Sequence, residues 1–97
     1  MILKKQERDN IIKAIYDSSN ILASVYDGNN KDLTIIFKKG AQYKYPNVSV
    51  NDYILFETAE SQGVIFNTNI KKYPFEKLEE MNPVELITEI ENLKPKL

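Results

Sequence analysis

Three short segments rich in β-branched and aromatic residues follow one another between residues 20 and 46, and the punctuation between them limits the fold more than any other feature. Residues 20–26 (NILASVY) read as a strand, and Asp27-Gly28-Asn29-Asn30 supplies a turn with positions that tolerate positive φ. Leu33-Thr34-Ile35-Ile36-Phe37 has the strongest β character in the chain. After the turn at Lys38-Lys39-Gly40, residues 41–45 (AQYKY) alternate with period two. Pro46 stops that strand because it has no N–H to give a ladder. Strands this short joined by turns this tight predict an antiparallel three-stranded meander.

Helical patterns are expected on either side of the meander. Ile11, Ile12, Ile15 and Tyr16 fit a 3.6-residue period and predict an N-terminal helix over residues 2–16, ended by the turn-forming run Asp17-Ser18-Ser19-Asn20. Ser49 or Asn51 can cap a helix over residues 50–61, where Tyr53, Leu55, Phe56 and Ala59 are apolar and Gly63 stands where a left-handed C-terminal residue is expected. Residues 64–75 read as a short helical turn followed by a loop or extended stretch. Asn82 as cap, Pro83 at the first position and Glu85 reaching back predict a C-terminal helix over 82–93, with Leu86, Ile87, Ile90 and Leu93 on one face and Pro95 as its stop. The expected fold class is therefore α+β: a three-stranded antiparallel β-meander packed against a helix, with flanking N- and C-terminal helices. One domain over 1–97 follows, with a core at 17–78, an N-terminal helix at 1–16 and an acidic C-terminal helix at 79–97.

Composition removes several chemistries. The 97 residues include no cysteine, so disulfide frameworks, thiol nucleophiles and thiolate metal sites are excluded. They include no histidine, which removes the Ser-His-Asp triad and imidazole ligands. No phosphate-loop motif accompanies Gly28, Gly40 or Gly63, and Asp27, Asp32, Asp52, Glu57 and Glu60 form no catalytic pattern. The reading expects no catalytic residue, no metal and no cofactor. The start of the chain moves straight into charged residues and no run approaches about 18 apolar residues, so a cytoplasmic protein without a membrane partner is expected. The net charge of −1 is unevenly placed: residues 1–19 and 20–75 each carry +1, and residues 76–97 carry −3. A local basic patch in the middle of the chain is compatible with that distribution.

From Asp17 to Leu78 the order of residues resembles the KTSC domain, a small module named for the C-terminus of certain lysyl-tRNA synthetases and also found as stand-alone bacterial and phage proteins. The resemblance rests on Ser18-Ser19-Asn20-Ile21, the strand through Ser24-Val25-Tyr26, the strand Leu33-Thr34-Ile35-Ile36-Phe37 leading to Lys39-Gly40, and the tyrosine pair in Tyr43-Lys44-Tyr45. Ser61, Gly63, Phe66, Asn67 and Ile70 follow, then Tyr73-Pro74-Phe75. What the resemblance implies is a role in RNA binding, with no reaction attached.

The candidate binding residues follow from strand geometry and charge. Tyr43 and Tyr45 are two apart on a strand and share a face. On an open face they can stack bases, and under the helix of residues 50–61 they are core. Lys38, Lys39, Lys44, Lys71 and Lys72 form a positive rim beside Tyr45 and Tyr73 if residues 71–72 fold back against the hairpin, and otherwise serve as solubilising surface charge. Asn67 and Asn69 can bond a base edge or their own backbone. The expected function is a non-catalytic module for RNA or single-stranded nucleic acid. The alternative is a protein-interaction module of phage or mobile-element origin, acting on a host protein or as a homodimer through its flanking helices.

Overall fold

The computed structural model describes residues 1–80, and among them the fold is a single six-stranded antiparallel sheet whose spatial order follows the chain. The strands are β1 (Ile2–Arg8), β2 (Ile11–Tyr16), β3 (Ile21–Asp27), β4 (Asp32–Phe37), β5 (Gln42–Tyr45) and β6 (Glu76–Leu78). Between β5 and β6 lie α1 (Val50–Glu57), α2 (Gln62–Ile65) and a π-helical turn, Phe66–Ile70. The three expected strands are present as β3, β4 and β5. The three-stranded architecture with flanking helices is overturned, because a hairpin is added at one edge and a short strand at the other.

The N-terminal helix expected over residues 2–16 is that hairpin. Asp9 and Asn10 both take positive φ, 52° and 67°, the combination a tight two-residue hairpin turn requires. Lys5 then stands opposite Ala14, and Glu7 opposite Ile12. The misleading periodicity has a physical origin: β2 is an interior strand, paired with both β1 and β3, and is apolar on both faces. Ala14 and Tyr16 enter the main core on one side, while Ile15 joins a second cluster on the other. A strand apolar on both sides yields neighbouring apolar residues that mimic a helical stripe.

Local geometry at the turns joins β3, β4 and β5 as successive hairpins within the six-stranded sheet. Asp27 Oδ1 accepts from the amides of Asn29 and Asn30 at 2.9 and 3.3 Å, forming the tip of the β3–β4 hairpin. Gly28 donates its amide to the Asn10 carbonyl at 2.8 Å, and a Cβ there would sit 3.2 Å from that oxygen. The neighbouring hairpin turns thus touch, and glycine permits the approach. At the start of β3 a register shift between Ile21 and Ala23 resets the alternation. Ile21 faces the main core, whereas Leu22 and Ala23 both belong to the second cluster.

The helices cover one face of the sheet. Ser49 caps α1 by accepting from the Asp52 amide at 3.1 Å, as expected for one of the two proposed caps. Its buried residues Tyr53 and Phe56, with Ile70 from the π-helical turn, pack on Tyr16, Tyr26, Leu33, Ile35 and Tyr45. Tyr26 stacks on Tyr53 with ring centroids 4.3 Å apart, and Phe56 meets the Tyr16 ring edge-on at 5.3 Å. Lys5 on β1 reaches the mostly buried Glu57 at 2.8 Å, which ties the edge hairpin to α1. Gly63 is not a helix-terminating residue with positive φ: it lies inside α2, capped by Ser61 accepting from the Val64 amide. The helix expected over 82–93 lies outside the described residues. No helix among the described residues is long and apolar enough to cross a membrane.

Candidate nucleic-acid interface

The helical layer stops short of one end of β4 and β5, and aromatic side chains are left partly open there. Tyr43 and Tyr45 do share a face of the sheet, but their environments differ. Tyr45 is 3% exposed, sits with its ring near Phe66 and Phe75, and burial pushes its hydroxyl pKa up to about 12. It is a core residue, and the base-stacking role considered for it is incompatible with that burial. Tyr43 is half-buried and held edge-on between Phe37 at 5.6 Å and Phe75 at 5.4 Å. Phe75 itself is 59% exposed.

Two adjoining clefts share this aromatic floor. One, of about 420 Å³, lies above Phe37 and Tyr43 and is rimmed by Ser19, Asn20, Lys38 and Lys39. The other, of about 250 Å³, lies among Tyr43, Tyr45, Phe66 and Phe75 and is rimmed by Lys71. The β3 start, the β4–β5 turn and the segment after the π-helical turn all converge here. Lys38 is anchored through its backbone, whose amide donates to the Asn20 carbonyl at 2.9 Å, while its side chain remains exposed. Lys38, Lys39 and Lys71 therefore place three ammonium groups around a shallow apolar trough.

The other expected site residues divide. Lys44 points to the opposite face of the sheet, 3.5 Å from Asp32, and does not line the trough. Tyr73, Asn69 and Lys72 converge on Asp52 in the first turn of α1. The Tyr73 hydroxyl donates to Asp52 Oδ2, Asn69 Nδ2 reaches Oδ1 at 3.5 Å, and Lys72 Nζ is 3.4 Å from Oδ2. These contacts, the Tyr73 hydrogen bond foremost, hold the Asp52 carboxyl below the usual aspartate range against the opposing effect of its partial burial. Lys72 also lies 5.5 Å over the Tyr73 ring. This bracket fastens the chain before Phe75 to α1, so these three side chains position the trough. Asn67 is exposed on the π-helical turn and does not line either cleft.

Phe37, Phe66 and Phe75 were not among the residues expected to bind, yet they form most of the floor. The signal for Phe37 was present in the alternation of β4, which puts it on the side of Leu33 and Ile35. Phe66 and Phe75 stood in the resemblance but in no local pattern that places them on the floor, since their position depends on how residues 46–75 fold back over the sheet.

The KTSC domain family model matches residues 17–75. Among solved structures, the chain is similar to a crystal structure of the KTSC domain protein YPO2434 from Yersinia pestis, with 32% sequence identity and a TM-score of 0.66. That similarity covers 69% of this chain and 96% of the other. No curated protein matches. The family segment begins after β2, so the β1–β2 hairpin is outside it, whereas the trough lies wholly within it.

Proposed function

The chain belongs to the KTSC domain family, and from that premise we propose that it is a non-catalytic module binding RNA or another single-stranded nucleic acid in the trough between Tyr43 and Phe75. One observation carries this reading: an exposed phenylalanine beside a half-buried tyrosine, on a floor rimmed by Lys38, Lys39 and Lys71. A base stacked on an aromatic ring contributes about 1–3 kcal/mol and needs no particular sequence, because every base has a π-face. The lysines supply the phosphate contacts, whose strength falls as salt rises. A single strand fits the trough better than a duplex, since its bases are free to leave the stack.

Fluorescence anisotropy with a labelled single-stranded RNA at ~50 mM salt tests the reading. Binding should weaken at least tenfold in the triple variant Lys38→Glu, Lys39→Glu, Lys71→Glu, and Phe75→Ala should weaken it by a smaller factor. The variant Lys44→Glu, on the opposite face, should bind as the parent does. Absent binding, or equal loss from Lys44→Glu and from the triple variant, refutes the trough as the site.

A further inference from the structure

The two clefts of the trough offer a nucleobase different surroundings. Among the described residues, the smaller is lined by aromatic rings and Lys71 alone, so a base there meets ring faces and one ammonium group. The larger shares Phe37 and Tyr43 with it and adds the side chains of Ser19 and Asn20 to its lysine rim. A carboxamide therefore stands at one cleft and not at the other. Asn20 is fixed there by its backbone. Ser18 Oγ accepts from the amides of Asn20 and Ile21 at 3.4 and 3.3 Å, and the Asn20 carbonyl accepts from the Lys38 amide at 2.9 Å. These bonds pin Asn20 between the start of β3 and the β4–β5 turn. Its side chain is exposed and makes no hydrogen bond among the described residues. Other loop asparagines have their amides engaged: Asn69 with Asp52, Asn30 with Asp27, and Asn10 with Asn29.

Resting on the reading of the trough as a nucleic-acid site, we propose that Asn20 selects adenine for the cleft over Phe37 and Tyr43. A carboxamide presents one acceptor beside one donor, and adenine presents the complement, its N6 amino group beside N7. Guanine presents two acceptors at that edge, O6 and N7, so Asn20 Oδ1 would face an acceptor. Pyrimidines lay a smaller ring on the aromatic floor. A base in the smaller cleft meets no donor–acceptor pair of this kind, and stacking and charge hold it there whatever its identity. Affinity then comes from the lysines and the rings, and selectivity from Asn20, because phosphate contacts carry no sequence information.

Three labelled RNAs, followed by fluorescence anisotropy at ~50 mM salt, provide the test: a run of uridines, and the same run with one central adenosine or one central guanosine. The adenosine strand should bind the full chain about tenfold more tightly than the other two, the discrimination expected of one good bidentate pair. In Asn20→Ala the three strands should bind alike, with the affinity the parent has for the uridine strand. Asn20→Asp, which keeps the shape of the side chain and loses its donor, should lose the preference as well. Equal affinities in the parent, with binding still lost in Lys38→Glu, Lys39→Glu, Lys71→Glu, overturn the role of Asn20 and leave the trough as the site. A preference for guanosine or uridine, or an adenosine preference that persists in both Asn20 variants, also overturns it. Absent binding of every strand overturns the trough and the role of Asn20 together.

Discussion

Under the helices, the sheet presents tyrosines whose rings are buried and whose hydroxyls are partnered: Tyr16 with Ser24 Oγ at 2.7 Å, and Tyr26 with the Val48 carbonyl at 2.9 Å. On the other side the cluster is built from Ile15, Leu22, Ala23 and Ile36, which have no polar side-chain atom to satisfy. The two faces therefore hold the fold by different means. The aliphatic face tolerates any covering surface that is apolar and close. The tyrosine face accepts one arrangement, because a shifted strand would leave a buried hydroxyl without its partner at a cost of about 1–3 kcal/mol for each group.

Alkali should separate the faces most strongly. Burial raises the pKa of Tyr16, Tyr26, Tyr45 and Tyr53, all on the helix-covered side. Above pH ~10 the unfolded chain releases tyrosine protons that the folded chain retains, so stability is present below that pH and is lost as pH rises. Each such tyrosine contributes a slope of about 1.4 kcal/mol per pH unit over that window. Loss of the circular dichroism signal and ionisation of these four tyrosines should therefore occur together in one cooperative step between pH ~10 and ~12. Ionisation of these four with the fold intact would break the distinction between the faces.

Truncations should rank in the same way. Phe56→Ala removes the ring packed on Tyr16 and should cost about 3–5 kcal/mol in chemical denaturation. Ile36→Ala opens the aliphatic face and should cost about 2 kcal/mol, near the bottom of the usual range, because it removes one aliphatic side chain and leaves no polar group unpaired. Equal costs would remove the contrast. The smallest effect is expected from the Asp52 bracket, which lies at the margin of the covered face. Its lowered pKa means that it contributes stability above the usual aspartate range, lost as pH falls through the folded value. Asp52→Asn should reduce stability at pH 7 and flatten its decline in acid, whereas a variant with the parent's acid profile would show that the bracket contributes nothing.

How much of this was legible in the sequence follows the same division of labour. Strands β3, β4 and β5 could be read because glycine, asparagine and proline mark their ends and because their residues are β-branched and aromatic. Ser49 as a cap was legible for the same local reason. Strand β2 was not, since burial on both faces erased the period-two alternation that distinguishes a strand from a helix. Strand β6 is three residues long and owes its existence to pairing with β5, which no local pattern encodes. At the candidate site, the shared face of Tyr43 and Tyr45 followed from strand period, and Lys38 and Lys39 were singled out by their charge at the end of β4. The division of Lys71 from Lys72 was hidden, because it depends on Asp52, distant in sequence, claiming only the second of two adjacent lysines.

The most direct test of the nucleic-acid assignment is a titration of isotope-labelled full-length chain with a short single-stranded RNA at ~50 mM salt, followed by nuclear magnetic resonance. Shifts confined to the amides and side chains of Lys38, Lys39, Tyr43, Lys71 and Phe75, and reversed by added salt, are the predicted result. Unchanged spectra, or shifts centred on Lys44 and the opposite face of the sheet, would contradict it.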